Sequence, residues 1–140
     1  MSMLNKNAAD GLKDFDIHAV TDVTGFGLLG HLAEICKASN VSAEIYFPEL
    51  EFLPSVHKLA ESGNIPGGTK RNFEYLKNNI EFESKFNSTQ KYLTCDAQTS
   101  GGLLIALDPK DAKIFVESIY SRAKIIGHVS DKNSNLIKVT

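Results

Sequence analysis

Residues 18 to 31 read His-Ala-Val-Thr-Asp-Val-Thr-Gly-Phe-Gly-Leu-Leu-Gly-His, and the rest of the chain is arranged around them. A short apolar run over residues 17–20 predicts a strand, and a polar turn with two glycines follows it. Apolar residues then recur at helical spacing, which predicts an amphipathic helix that runs to about Ser39 and stops at Asn40. A strand that passes through a glycine turn into a helix is therefore the first structural prediction.

The turn before this helix has the composition of a site for an anion and a metal ion. The first backbone N–H groups of a helix have no partner within it, and the helix dipole adds positive charge there, so a phosphate binds well. Thr24, Gly25 and Gly27 form the turn, and Asp22 adds a carboxylate of the kind that Mg²⁺ prefers. The same residues also fit a simple helix cap, with the glycines shaping a tight turn.

The composition predicts one ordinary folded domain. The chain has 140 residues, of which 42% are hydrophobic and 23% charged, enough for a core of normal size. The apolar runs are too short to span a membrane, and a net charge of −2 gives no reason to expect a nucleic-acid partner. The polar N-terminus predicts no signal peptide, and two cysteines without metal-binding spacing fit a cytoplasmic location.

Further along the chain, the patterns predict a mixture of short helices and strands. Helices are expected at 3–13, 53–62, 72–79 and 108–122, and strands at 41–47, 92–95, 103–107, 125–129 and 136–139. Leu59 and Ile119 are expected to face inward, the strand at 103–107 to be buried on both faces, and the last strand to be antiparallel and at an edge. Helices and strands do not alternate strictly, so we expect an α+β fold with a mixed β-sheet.

Two further polar, glycine-containing loops are predicted, at 63–72 and 96–102. Glycines let a backbone approach a ligand closely, and hydroxyl, guanidinium and amide groups can bind phosphate oxygens. The candidate residues of these loops are Gly67, Gly68, Thr69, Arg71, Asn72, Thr99, Ser100 and Gly101. Both loops also fit surface turns or contacts with another domain, and this alternative stays open at the level of sequence.

Well-known catalytic motifs are absent from the sequence. It has no GxxxxGK[ST] phosphate loop, no GxGxxG after a strand, no HExxH and no GxSxG. Its four histidines are widely spaced, and only His31, one turn into the central helix, stands near the candidate site. Asp22 and Asp96 are the only carboxylates among glycines and hydroxyls. The residues thus indicate part of a phosphate-handling site without a nucleotide-binding half.

The stretch from His18 to His31 closely resembles the signature of selenophosphate synthetase (selenide, water dikinase), in the aminoimidazole ribonucleotide synthetase superfamily. Pro66-Gly-Gly-Thr-Lys-Arg-Asn72 and Asp96-Ala-Gln-Thr-Ser-Gly-Gly-Leu-Leu104 are similar to two other segments of that family, in the same order, and so is Leu4-Asn5-Lys6. The resemblance covers essentially the whole chain. Ala97 departs from the pattern, since the family usually has a proline there that would stiffen the loop.

The resemblance implies that residues 1–140 form the C-terminal domain of a two-domain enzyme. The family's N-terminal domain carries the catalytic cysteine or selenocysteine, a lysine, metal-binding aspartates and most of the ATP site. The family converts selenide, ATP and water into selenophosphate, AMP and phosphate for selenocysteine synthesis, and a homodimer is expected. By residue match, Asp22 corresponds to an aspartate that binds the magnesium ions on the ATP phosphates.

Two classes of function remain open from the sequence. As half of a phosphoryl-transfer enzyme, the chain alone is expected to be inactive, because it has no nucleophilic cysteine beside a lysine and no complete nucleotide pocket. As a stand-alone module, it would use its glycine loops to hold an anion or a partner protein. The natural reading frame separates these classes: an upstream glycine-rich segment with a Cys-x-x-x-x-Lys site favours the enzyme, and a natural start at Met1 favours the module.

Overall fold

The computed structural model describes residues 4–140, and Met3 of the predicted first helix lies outside them. The α-helices are α1 (Lys6–Gly11), α2 (Gly27–Ser39), α3 (Val56–Glu61), α4 (Gly67–Leu76), α5 (Ser88–Thr94) and α6 (Pro109–Ile114). The strands are β1 (Ile17–Asp22), β2 (Val41–Ile45), β3 (Ile80–Phe82), β4 (Leu103–Leu107), β5 (Gly127–Asp131) and β6 (Ile137–Val139). A 3₁₀ turn covers Phe47–Glu49, and a π-helical turn, Phe115–Ile119, continues α6.

Four strands form the main sheet in the order β3-β6-β2-β5. Strand β6 is parallel to both β3 and β2, whereas β2 and β5 are antiparallel. The predicted mixed sheet is therefore confirmed, but the prediction for the last strand is wrong: β6 is internal and parallel. Ile137 and Val139 of this strand are fully buried, and a strand of three residues, Ile-Lys-Val, cannot by itself distinguish a central position from an edge.

Helices α2 and α4 cover one face of this sheet and form the main core with it. Leu29, Ala33 and Cys36 of α2 have no exposed surface, and Leu76 of α4 is 1% exposed. Helix α2 ends at Asn40, as predicted, where a left-handed residue with φ 53° lets the backbone N–H reach back to carbonyls of the last turn. None of the helices within residues 4–140 has the length and apolar character needed to cross a bilayer.

The opposite face of the main sheet carries a row of charged side chains. The strand register places Glu81 next to Lys138, Lys138 next to Glu44, and Glu44 next to His128. Nδ1 of His128 also lies 2.8 Å from the hydroxyl of Tyr46. Opposite charges on neighbouring strands attract one another and remain hydrated, so this face is suited to contact with water.

The remaining strands, β1 and β4, form a separate antiparallel pair in which Ile17 is opposite Leu107 and Asp22 opposite Leu103. The bounds predicted for β4 are confirmed, but its predicted burial on both faces is wrong. All five of its apolar side chains are only half-buried, because a two-stranded sheet has too few neighbours to cover both faces.

Local predictions failed mainly at short helices. The residues 92–95, predicted as a strand, belong to the end of α5, which begins at a reciprocal capping box between Asn87 and Gln90. Helix α4 begins at Gly67 rather than at residue 72, so residues 67–72 of the predicted 63–72 loop belong to a helix. Leu59 and Ile119 are 52% and 48% exposed instead of facing inward. Strand β5 begins at residue 127, and α3 at residue 56.

Candidate functional site

Strand β1 brings Asp22 to the end of the two-stranded sheet. Its side chains alternate between half-buried and exposed positions, and Asp22 is the last of the exposed ones. His18 and Val20 precede it on the same exposed face, and Val20 retains 47% of its surface. The carboxylate of Asp22 therefore lies in solvent at a strand end, on a face that is partly apolar.

The residues after Asp22 are bonded to the 96–102 loop. The backbone N–H of Val23 donates to Gly102, and Val23 accepts from the N–H of Gly101 at 3.0 Å. One residue further, the carbonyl of Thr24 accepts from the N–H of Gln98, also at 3.0 Å. These bonds fix the turn and the 96–102 loop relative to each other.

Two glycines permit this close approach of backbones. Gly27, with φ +70°, lies so close to the 95–96 peptide that a Cβ would be 2.7 Å from the carbonyl oxygen of Cys95. At Gly101 a Cβ would be 2.5 Å from the carbonyl oxygen of Val23. Both glycines are therefore needed for packing within the protein, whereas Gly25 has nothing within 4 Å of a built Cβ and faces open space.

The first turns of α4 make the third part of the site. The buried hydroxyl of Thr69 donates to the carboxylate of Asp96. The side-chain amide of Asn72 donates both to the carbonyl of Gly25, at 2.9 Å, and to that of Cys95, at 3.1 Å. Asn72 thus joins the α2 turn, the end of α5 and α4 at a single point.

Three segments that are far apart in the sequence therefore meet at one place, as predicted. The loop-based geometry expected for residues 67–72 is wrong, because they lie in a helix, where neither Gly67 nor Gly68 has positive φ. The Arg71 guanidinium would be 3.3 Å from a Cβ at Gly67, so it lies against the exposed start of α4. Thr99 and Ser100 are exposed on the third loop, and Ser100 has φ 63°.

Sequence reasoning missed the residues that hold the three segments together. Thr69 and Asn72 were candidates for ligand contacts, but in the structure their side chains bond to other parts of the protein. The Nε2 atom of His31 lies 3.0 Å from the backbone nitrogen of Thr24, a contact that links α2 to the turn before it. No spacing rule finds such pairs, since Asn72 and Gly25 are 47 residues apart.

Two clefts flank this cluster. A groove of about 680 Å³ runs along β1 and α1 and includes Asp22; its apolar lining residues are Ala9, Leu12, Phe15, Ile17, Val20 and Leu103. A smaller cleft of about 350 Å³ lies where Asp96, Ala97 and Gln98 meet the 49–56 segment. Because Asp22 lines only the first, a ligand of Asp22 would enter from the groove.

The two cysteines are not poised for chemistry. Burial raises the pKa of the Cys95 thiol to about 11, although a contact with Thr94 partly opposes this, and burial also raises the pKa of Cys36. Neither thiol is therefore a ready nucleophile near neutral pH. Within residues 4–140, no three His, Cys, Asp or Glu side chains are grouped so that they could hold a metal ion by themselves.

Comparisons with known proteins match the chain over almost its full length. The family model "AIR synthase related protein, C-terminal domain" matches residues 1–139. A protein of Sulfurovum sp. (strain NBC37-1) named "Selenide, water dikinase" is 41% identical over 142 residues, covering 99% of this chain and 40% of that protein. Proteins of the same name from Haemophilus ducreyi (50% identical; 80% of this chain, 30% of that protein) and Aliarcobacter butzleri (37%; 98% and 41%) are also similar.

The chain thus spans about two fifths or less of the length of these curated relatives. The matched region includes every segment of the site described above, from Asp22 to Gly102. With the family model covering residues 1–139, the chain belongs to the family of AIR synthase related proteins, as their C-terminal domain.

Proposed function

We propose that this chain is the C-terminal part of a selenide, water dikinase, the enzyme that makes selenophosphate from selenide, ATP and water and releases AMP and phosphate. The relatives named above support this, since they bear that name and match up to 99% of the chain. The observation that carries the proposal is the position of Asp22, exposed at the end of β1 immediately before the turn that is bonded to the 96–102 loop. Residues 1–140 then act with a preceding domain that supplies the nucleophile and most of the ATP site.

Asp22 is the residue that would hold Mg²⁺. Mg²⁺ keeps several waters and is usually bound by one or two carboxylates together with substrate phosphates, so a single exposed aspartate fits its needs. The lack of a larger ligand group within the described residues agrees with a metal shared with ATP and with another domain. When bound, Mg²⁺ supplies charge neutralisation for the phosphates during phosphoryl transfer.

Phosphate contacts are proposed for the exposed groups around the same junction. The Arg71 guanidinium and the start of α4, which has no side-chain cap, both contribute positive potential there. The backbone at Thr24 and Gly25 and the hydroxyls of Thr99 and Ser100 are further candidates. Gly27, Thr69, Asn72 and Gly101 would act indirectly, since their contacts or close approaches shape the junction. A Cβ at Gly68 would have only an ordinary contact with Ala97.

The preceding domain is proposed to dock on the exposed face of β1. Val20 lies on this face with Asp22, and the adjoining groove is lined mainly by apolar side chains. Leu4, which precedes α1 in the sequence, is also 71% exposed. A partner that covers Val20 would bring its own groups to Asp22, and apolar surface of this kind is typical of a domain interface. A homodimer of the whole enzyme and a cytoplasmic location remain predictions.

Asp22→Asn tests the proposal in the full-length protein. Asn has nearly the same shape but lacks the charge that Mg²⁺ needs, so selenide-dependent formation of AMP should fall at least about tenfold. Asp16→Asn is the matched control, because Asp16 is also exposed but lies next to Ile17, at the opposite end of β1. Both variants should melt within about 2 °C of wild type, since each changes an exposed side chain.

Unchanged turnover of Asp22→Asn at limiting Mg²⁺ would contradict the metal role. The alternative of a helix cap is wrong for Asp22, because the cap position of α2 is Phe26. Formation of AMP by the purified 140-residue chain alone would contradict the proposed division of labour between two domains. If the full-length protein forms no AMP from ATP and selenide under any condition, the dikinase assignment itself fails, and the binding-module alternative gains support.

A further inference from the structure

His31 lies one turn into α2 and reaches back to the turn that follows Asp22. Side chains on a helix point toward its N-terminus, which brings this ring to Thr24, seven residues earlier. Its Nε2 atom accepts the backbone N–H of Thr24 at 3.0 Å, and the hydroxyl of Thr24 lies 3.1 Å from the same nitrogen. The half-buried ring thus binds a backbone donor that belongs to no helix or strand.

This geometry assigns the protonation state of the ring. A backbone N–H can only donate, so Nε2 must present its lone pair and the proton must be on Nδ1. The bond therefore requires neutral histidine in one tautomer. Among the other side chains, glutamine best reproduces an acceptor at the position of Nε2, because its amide oxygen lies at a similar distance from the backbone.

The backbone of Thr24 is held from both sides. Its N–H is bound by His31, and its carbonyl accepts from the N–H groups of Gly27 and Gln98, each at 3.0 Å. The Phe26 ring lies 5.7 Å from the His31 ring, centroid to centroid, so the turn also packs against the imidazole. Removing the imidazole would leave the N–H of Thr24 without its partner and remove the contact with Phe26. Only the carbonyl of Thr24 would then remain bonded.

We propose that His31 is a positioning residue for the metal–phosphate site, acting through the Thr24 backbone to hold the turn that follows Asp22. This rests on the proposed function, but the contact itself does not. No described hydrogen bond joins His31 to Asp22, so the imidazole acts by fixing the chain two residues after the carboxylate. Residues that orient metal ligands commonly change activity or metal affinity when they are replaced.

The contact is tested first in the 140-residue chain by amide hydrogen exchange and by ¹⁵N NMR of the imidazoles. The Thr24 amide should be protected and the His31 ring should show a pyridine-like Nε2 and a pyrrole-like Nδ1. His31→Leu should speed exchange of the Thr24 amide by about fivefold or more, the effect of losing roughly one hydrogen bond. His31→Gln should keep most of the protection.

The positioning role is tested in the full-length protein by titrating Mg²⁺ at saturating ATP. His31→Leu should raise the Mg²⁺ concentration for half-maximal AMP formation by about tenfold, and His31→Gln should restore it to within about threefold of wild type. His128→Gln is the control, since it alters a hydrogen-bonded histidine on the charged face of the main sheet. Melting temperatures are compared so that a loss of folding is not mistaken for a loss of metal affinity.

Each result bears on a different part of the proposal. An unprotected Thr24 amide or the opposite tautomer in wild type would overturn the contact. Altered exchange in His31→Leu with an unchanged Mg²⁺ requirement would make His31 purely structural and overturn its positioning role. If wild type forms no AMP, the proposed function fails and the positioning role fails with it, while the exchange data still decide whether the contact exists.

Discussion

The two sheets of this protein differ in the side chains on their uncovered faces. The main sheet presents a row of polar side chains, Glu81, Lys138, Glu44 and His128, on the face away from its helices. The pair β1–β4 instead leaves Val20 exposed and keeps all of Leu103–Leu107 only half-buried. A charged face is stable in water, whereas an apolar one gains free energy when another surface covers it. The difference supports the proposal that the preceding domain docks on the β1–β4 pair, beside Asp22.

The proposed difference between the two sheets would be wrong if both contributed equally to the stability of the chain alone. Ile137→Ala in the centre of the main sheet should lower the free energy of unfolding by about 3–4 kcal/mol, because it empties a fully buried site. Ile105→Ala removes the same atoms from half-buried β4 and should cost only about 1 kcal/mol. Urea unfolding of both variants measures this. Equal losses would mean that β4 is already packed as a core strand.

Two exposed valines sharpen the comparison. Val20, on the pair β1–β4, is 47% exposed, and Val129, on β5, is 45% exposed. In the 140-residue chain, Val20→Asp and Val129→Asp should each change stability by no more than about 0.5 kcal/mol. In the full-length protein, Val20→Asp should reduce AMP formation by about tenfold, since a charge would be placed in a domain interface.

Val129→Asp should keep at least about half of the wild-type turnover, because Val129 lies on β5, an edge strand of the main sheet, and not on the proposed interface at β1. Steady-state turnover, together with melting temperatures of the full-length variants, distinguishes the two cases. A full-length Val20→Asp protein with wild-type turnover would mean that the preceding domain docks elsewhere.

Single elements were easier to predict than their positions in the sheets. Periodicity identified α2 and β2, a continuous apolar run identified β4, and Asn40 marked the end of α2 correctly, because these signals depend on neighbouring residues. The position of β6 and the burial of β4 depend on which strands lie beside them, which a short apolar run does not encode. The residues 92–95 have a strand-like composition, but the capping box at Asn87 and Gln90 outweighs it.

The same contrast applies to the candidate site. Its location was predictable, since glycines, hydroxyls and an aspartate cluster in three short stretches of sequence. The division between exposed residues and residues that hold the segments together was not. Thr69, Asn72 and His31 have side chains that could bind a ligand. Only the fold shows that these side chains form hydrogen bonds with Asp96, Gly25 and Thr24 instead.

The two buried thiols test a smaller difference, that between the main sheet with α2 and the junction held by Asn72. Cys36 lies in α2 against the main sheet, whereas Cys95 lies at the end of α5, where its carbonyl accepts from Asn72. Because burial raises the pKa of both thiols, and that of Cys95 to about 11, neither should react with a thiol reagent at pH 8 until the chain opens locally. Both thiols belong to one core cluster, but Cys95 follows the short helix α5. We therefore expect Cys95 to be labelled first, because short helices open more easily than the centre of a long one.

Asn72→Ala should then speed labelling of Cys95 by about fivefold, the effect of losing roughly 1 kcal/mol, and leave Cys36 unchanged. The raised pKa also makes stability depend on alkaline pH. Folding keeps Cys95 protonated, so its contribution is complete below the ordinary thiol pKa of 9.0 and is lost as the pH rises through about 11. The urea midpoint should therefore fall over that range, and less steeply in Cys95→Ala. Equal acceleration of both thiols by Asn72→Ala would mean that the junction and the main sheet open as one unit, and the two regions would not be energetically distinct.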